Sequence, residues 1–351
     1  MNAWEQSPVG AAVGRFERAR FLPWATPLEH QPRLSQTLGI DLRVKRDDLT
    51  GLAFGGNKVR KLEFYFGKAL AAGADTVLIT GAVQSNYTRV VAACAARLGM
   101  DCHIQLEERV PDVDDVYRTS GNVLLDELLG ATLHAYPVGE DEEGADQRLR
   151  EIAAGLSARG RRPYVIPLGA GNPPLGALGY VRCAAELLEQ AGAMDHVVLA
   201  SGSGQTHAGL LFGLRALGWS GEVIGICVRR AASLQKPRVE GHCGRIAELL
   251  GIVNPVRSQD VVLYDDVLAP GYGVMNDAVA SAIRDCAHRD GLLVEPVYTG
   301  RAMAGLFARV REGRLPPGAR VVFIHTGGLP ALFGYATDLR RTVVRREITA
   351  P

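Results

Sequence analysis

The residues best placed to do chemistry lie in Phe54-Gly55-Gly56-Asn57-Lys58-Val59-Arg60-Lys61-Leu62-Glu63. Two glycines allow a turn that a Cβ would obstruct, and a lysine follows almost at once. From Val59 to Leu70 the spacing predicts a helix with Leu62, Phe66 and Leu70 on one face. Lys58 then stands at a loop-to-helix junction, where exposed amides raise the local potential and favour a neutral amine. A neutral lysine amine condenses with aldehydes, so Lys58 is a candidate Schiff-base residue. The same residues also describe a surface lysine opening an ordinary helix.

Four further loops carry polar groups at strand ends. Gly81-Ala82-Val83-Gln84-Ser85-Asn86 offers three hydrogen-bonding side chains and free amides at a helix start, which suits a carboxylate and equally suits a plain N-cap. Ser201-Gly202-Ser203-Gly204-Gln205-Thr206 can wrap backbone amides around a phosphate, although it lacks the Gly-Lys-Ser/Thr of a Walker loop. Gly271-Tyr272-Gly273 and Pro296-Val297-Tyr298-Thr299-Gly300 present two phenols suited to proton delivery in a dry site, or to core packing. His325-Thr326-Gly327-Gly328 follows an apolar run and offers a hydroxyl that can accompany a ring nitrogen. His207 and His325 read as structural neighbours.

The elements that must position these loops alternate. Strand-like runs at 42–46, 76–80, 102–106, 132–136, 164–167, 196–200, 222–228, 261–264, 292–294 and 320–324 are separated by helical periods, after an irregular lead-in to Pro27. Alternation at this spacing predicts parallel sheets covered on both faces, with ligands beyond the carboxyl ends of the strands. The joint Gly169-Ala170-Gly171-Asn172-Pro173-Pro174 divides two α/β series, the first inserted into the second. We expect a large domain at 1–61 and 172–351 and a small inserted domain at 62–171.

The chain is long enough for two cores. A formal net charge of +1 gives no reason to expect nucleic acid or an anionic membrane as partner. The Arg159–Arg162 and Arg340–Arg346 runs read as solvated helix ends or tail. Six scattered cysteines, without Cys-x-x-Cys, point to small buried hydrophobes and to no metal. With no signal pattern and no apolar run of spanning length, a cytoplasmic location is expected.

Over nearly its whole length the chain resembles the fold-type-II (tryptophan-synthase-β-like) enzymes that use pyridoxal 5'-phosphate (PLP). The branch it is similar to contains the D-cysteine desulfhydrases and aminocyclopropanecarboxylate deaminases. The segments that carry the likeness are Lys45-Arg46-Asp47-Asp48, Gly55 to Glu63, Gln84-Ser85-Asn86, Ser201-Gly202-Ser203, Thr206-His207-Ala208-Gly209, Gly271-Tyr272-Gly273, Pro296 to Met303 and His325 to Gly328. The resemblance implies that Lys58 holds PLP as a Schiff base and carries the substrate α-proton, while Asn57 bonds the ring oxygen. It implies that Ser85, with Gln84 and Asn86, grips the substrate carboxylate. Lys61 and the loop Ser203, Gly204, Gln205 and Thr206 would hold the phosphate, and Thr326 would face the ring nitrogen. Tyr272 and Tyr298 would line the substrate pocket with Tyr87.

Thr299 stands where the similar deaminases carry glutamate, which fits the desulfhydrase pattern. The resemblance therefore implies α,β-elimination from a small amino acid, D-cysteine giving pyruvate, ammonia and sulfide, in a homodimer. The alternatives are an L-cysteate sulfo-lyase and an aminocyclopropanecarboxylate deaminase. A non-catalytic PLP-binding protein, or a dinucleotide-binding oxidoreductase built on the Ser201–Gln205 loop, are rivals of other classes. The chain departs from the family pattern at Tyr87, usually histidine, at Val90-Val91, at Gln205, often glycine, and at Gly171-Asn172-Pro173-Pro174.

Overall fold

A computed structural model describes residues 3–169 and 171–344. The strands are β1 Leu28–His30, β2 Asp41–Lys45, β3 Thr76–Ala82, β4 Asp101–Glu107, β5 Thr132–Tyr136, β6 Pro163–Val165, β7 His196–Ser201, β8 Glu222–Cys227, β9 Val262–Tyr264 and β10 Arg320–Ile324. They form a six-stranded sheet in the order β1-β2-β10-β7-β8-β9 and a four-stranded sheet in the order β5-β4-β3-β6. The smaller sheet is drawn entirely from residues between β2 and β7, so the larger one is assembled from both ends of the chain.

Every strand pair is parallel except β1 with β2, where Leu28 faces Lys45. The sheets are parallel-rich, as expected; the β1 edge strand itself was not read from the sequence, because Pro27 and Pro32 bracket a run too short to show an alternating pattern. β3 is buried at all seven positions, as a central strand covered on both faces must be.

Three expectations are corrected. The lead-in is not irregular throughout, because Ser7 caps the helix Pro8–Val13 by accepting from the amide of Gly10, with proline at the first turn. Leu292–Val294 is not a strand, although Leu292 and Val294 are buried and Leu293 is exposed. That alternation reflects packing without a ladder, since the larger sheet already has β1 and β9 as its edges. In the helix Lys58–Ala71, Leu62 and Phe66 are buried but Leu70 is 44% exposed, because the helix meets its neighbours around most of its circumference rather than along one stripe. Ala170 of the joint and Arg345 and Arg346 of the basic tail lie outside the described residues.

The start of the Lys58 helix is fixed by a buried ionic network. Arg60 donates to Asp47 Oδ2 and Oδ1 at 3.0 and 2.9 Å, to Glu186 Oε2 and Oε1 at 2.9 and 2.8 Å, and to Thr26 Oγ1 at 3.0 Å. Lys45, the last residue of β2, closes the network on Glu186, and Tyr180 donates to Asp47. The strand, the helix and the helix Leu178–Ala191 are thus tied together directly beneath the Gly-Gly-Asn-Lys turn.

Candidate active site

A cavity opens at the carboxyl ends of both sheets, between Thr80, Gly81 and Ala82 of β3, Ala200 of β7 and Thr326 just past β10. Of the residues singled out from the sequence, Asn57, Lys58, Ser85, Asn86, Tyr87, Ser203, Gly204, Thr206, Tyr272, Tyr298 and Thr326 line it together. Gln84, Lys61 and Gln205 do not.

Lys58 is the first residue of its helix, and Gly55 and Gly56 before it have φ of 61° and 115°. A Cβ on Gly55 would strike the carbonyl of Asp48, so the turn requires glycine there. Nζ of Lys58 donates to Asn57 Oδ1 at 3.1 Å and lies 5.4 Å from the ring centre of Tyr87 and 5.9 Å from that of Tyr298. Burial lowers its pKa from the usual 10.5 to about 8, with Glu295 pulling the other way, so the amine is within reach of neutrality.

That depression has a sign that can be measured. The unfolded chain binds this proton between pH 8 and 10.5 while the folded one does not, so the burial opposes folding below pH 8 and ceases to do so towards 10.5. Lys58→Met is expected to stabilise the cofactor-free protein at pH 7 by on the order of 3 kcal/mol, a gain that fades towards pH 10.5. Urea titrations of both proteins at several pH values read it directly. A gain that does not vary with pH would mean that burial is not what perturbs the amine.

Asn57 joins the parts of the site: its amide nitrogen donates to Thr206 Oγ1 at 3.0 Å, and its backbone N–H to the carbonyl of Thr326 at 3.0 Å. Ser85 caps the helix Asn86–Leu98 by accepting from the N–H of Tyr87 at 3.1 Å and of Thr88 at 3.4 Å. Capping uses the oxygen's lone pairs and leaves the O–H free to donate into the cavity, so the capping and carboxylate-binding readings are compatible. Gln84 is committed elsewhere. Its amide nitrogen donates to the carbonyls of Tyr117 and Ser120 at 2.6 and 2.8 Å, and its oxygen accepts from the N–H of Asn122 at 2.9 Å.

The phenols of Tyr272 and Tyr298 are hydrogen-bonded at 2.8 Å, with ring centres 6.1 Å apart. Burial raises both pKa values, opposed in each by Arg109, so both are neutral O–H groups near neutrality. Glu295 fixes the segment that carries Tyr298. Its carboxylate accepts from the N–H groups of Val297, Tyr298 and Thr299 at 2.8, 2.7 and 2.8 Å, while the hydroxyl of Thr299 accepts from the N–H of Glu295 at 2.9 Å. Thr299 is fully buried in that cap and does not line the cavity.

Sequence reasoning missed Glu295, Arg89 and the charged residues Glu107, Arg109, Glu142, Asp146, Arg229 and Arg238 that line the cavity. Glu295 carried a signal, an acid four residues ahead of a helix start. Arg89 is fully buried and reaches from the helix Asn86–Leu98 to the carbonyls of Ala53 and Gly55 and, at 2.8 Å, to Asn122 Oδ1. It holds Ala53 and Phe54, both non-glycine residues with positive φ, in the turn before Lys58. Its place among Val90, Val91 and Cys94 on a buried helix was the available cue. Arg109, which lines the cavity and donates to Glu107 at 2.8 and 2.7 Å, had none.

The residues present fit a phosphorylated aldehyde. Lys61 is buried, its pKa pushed well down by desolvation with Lys58 adding to the shift, and no carboxylate opposes it. An anion beside the amine would let it carry its charge there. Gly204, at φ 88°, turns the chain into the helix Gln205–Ala216, and the loop is braced from behind by His242 and Arg238, which donate to the carbonyl of Ser203 at 3.0 and 3.1 Å. His325 donates from Nε2 to the carbonyl of Leu293 at 2.8 Å and accepts from the N–H of Gly327, and is committed to that loop.

Comparison with known proteins decides the family. Residues 20–327 match the family described as pyridoxal-phosphate dependent enzyme. The chain belongs to this family. It is 45% identical over 324 residues to the D-cysteine desulfhydrase of Salmonella typhimurium, covering 92% of this chain and 97% of that protein. The D-cysteine desulfhydrase of Salmonella typhi is 44% identical over the same length. Among solved structures, an ACC deaminase homologue superposes with a TM-score of 0.87 at 38% identity, over 97% of this chain and 100% of that one. A fungal L-serine ammonia-lyase from Rhizomucor miehei shares the fold, with a TM-score of 0.65 at 21% identity. As a member of the pyridoxal-phosphate dependent family, the chain is a fold-type-II enzyme with PLP as cofactor.

Proposed function

We propose that the chain is a lyase that removes the β-substituent of a small amino acid, D-cysteine yielding pyruvate, ammonia and sulfide with uptake of one water. The observation that carries this is the convergence on one cavity of a half-buried lysine amine, a hydroxyl at a helix start and a hydrogen-bonded phenol pair. The 45% identity to a D-cysteine desulfhydrase across both chains supports the choice of substrate.

PLP, held covalently through Lys58, supplies the electron sink for the bond broken at the α-carbon. Lys58 carries the α-proton, for which a pKa of about 8 suits both taking it up and returning it. The O–H of Ser85 and the amide of Asn86 orient the substrate carboxylate. The Tyr272–Tyr298 pair, kept protonated by burial, delivers a proton to the departing sulfur. Asn57 and Thr326 would hold the polar groups of the ring, and Lys61 with the Ser203–Thr206 amides would take the phosphate. Tyr87, with its ring against Lys58, walls the substrate side.

We place the active unit as a homodimer in the cytoplasm, with the small domain at 62–171 and the large one at 1–61 and 172–351. Exposed Phe54, Leu124, Leu128 and Phe333 support a partner surface beside the site. Six unpaired, buried cysteines support a reducing compartment. The test is product analysis with D-cysteine, L-cysteine, cysteate and aminocyclopropanecarboxylate side by side. Pyruvate with sulfide from D-cysteine is expected to dominate. Sulfite from cysteate, or 2-oxobutyrate from the cyclopropane, as the main product would replace this reading, and silence on all four would favour a non-catalytic binder.

A further inference from the structure

Lys61, Tyr65 and Gln205 meet behind the Ser203–Thr206 loop on a single glycine. A Cβ on Gly176 would stand 2.7 Å from Cε2 of Tyr65, 3.1 Å from Cβ of Lys61 and 3.3 Å from Oε1 of Gln205. Two buried polar atoms at this meeting point have no hydrogen-bond partner: the hydroxyl of Tyr65 and Oε1 of Gln205. They are neighbours: burial raises the phenol's pKa and keeps it protonated, against smaller lowering contacts from the Gln205 side chain and the backbone N–H of Gly176. One is a donor and the other an acceptor, so a small rotation satisfies both.

Gln205 is the first residue of the helix Gln205–Ala216, directly after Gly204. A long side chain at that position has two places to go: forward over the loop's amides, or back against Gly176. In the structure it goes back, and it does not line the cavity. Lys61 lies one helical turn before Tyr65, and its Nζ is 5.2 Å from the ring centre of Tyr87, which does line the cavity. The packing that retains Gln205 therefore also confines the stem of Lys61.

We propose that Tyr65 and Gln205 act as a pair of positioning residues for the phosphate of PLP, the Tyr65 hydroxyl donating to Gln205 Oε1. This rests on the reading of the cavity as a PLP site. The pair keeps the glutamine clear of the loop amides and holds Lys61 where it meets the anion. It touches neither substrate nor ring, so its influence is confined to the phosphate end.

The experiment uses the full-length protein stripped of cofactor and compares binding of PLP with binding of pyridoxal, which lacks the phosphate. Tyr65→Phe and Gln205→Ala are each expected to weaken PLP about five- to tenfold and to leave pyridoxal unchanged, so the preference for PLP falls by that factor. The double variant is expected to lose no more than either single one, because each change already breaks the shared bond. Gln205→Gly reads the same ratio if the phenylalanine variant does not fold. Equal weakening of both ligands would overturn the proposal, as would losses that multiply in the double variant. A wild-type protein that does not prefer PLP to pyridoxal would sink the PLP reading and the pair with it. A wild type that does prefer PLP, with variants that behave like it, would sink the pair alone.

Discussion

Lys58→Ala is expected to abolish covalent attachment of PLP and to lower turnover by a factor on the order of 10³ or more, since removing a positioned proton carrier alone costs 10²–10⁴. The size of the effect comes from two tasks sharing one nitrogen. Lys58 is the amine presented at the mouth of the Gly-Gly-Asn turn, and its lowered pKa makes it the group able to bond an aldehyde and then exchange a proton. Lys61 is buried one turn further on against Tyr87 and does not line the cavity, so it is not placed to substitute. Borohydride reduction followed by mass measurement of the intact chain is the check. The wild type should gain the mass of reduced PLP and the variant should not. A variant that still trapped the cofactor would remove Lys58 from the mechanism.

The second large effect is on stability. Arg60→Ala is expected to destabilise the protein by about 3–5 kcal/mol, the cost of leaving buried charges without their partner. Arg60 is 2% exposed and Asp47 is fully buried; desolvation is the largest single effect on the Asp47 carboxyl and raises it, and Arg60 together with Lys45 and Tyr180 holds it below its usual range. With the guanidinium gone, Asp47 and Glu186 keep Lys45, the hydroxyls of Thr26 and Tyr180 and the backbone N–H of Thr26 as partners among the described residues. Adding Asp47→Asn should recover part of the loss, because one of the stranded charges is then absent. Urea unfolding of the three proteins measures it, and a loss under about 1 kcal/mol for Arg60→Ala would show that the network holds little. Lys58 lies two residues from Arg60, so weaker PLP binding should accompany the instability.

The buried strands were legible because a fully covered strand is built mostly of apolar and β-branched residues, as Thr76 to Ala82 show. The loops after them were legible because glycine and hydroxyl residues at a strand end have few other uses. Side chains whose partners are distant in the chain were not. Arg89 and Arg60 carry charges that in most helices face water; apolar neighbours hint that Arg89 is interior, but it is the acceptors at Gly55, Asn122, Asp47 and Glu186 that account for both. Gln84 misled for the opposite reason: beside Ser85 it reads as a ligand-binding amide, yet three backbone partners from residues 117–122 already claim it. Leu292 to Val294 has the period of a strand and lacks a neighbouring one, which periodicity alone does not reveal.

The way the larger sheet is strung has a consequence for how the chain matures on the ribosome. β2 lies against β10, with Val44 beside Phe323, so an early strand must wait for nearly the last one before its inner edge is occupied. The smaller sheet closes long before that, from strands that all emerge between Thr76 and Val165. A growing chain would therefore have all four strands of the smaller sheet available while Asp41–Lys45 still lacked its β10 neighbour. Lys58 lies in sequence between β2 and β3, and the cavity it lines also takes Ala200 of β7 and Thr326 just past β10, so its walls are complete only when both ends of the chain are in place.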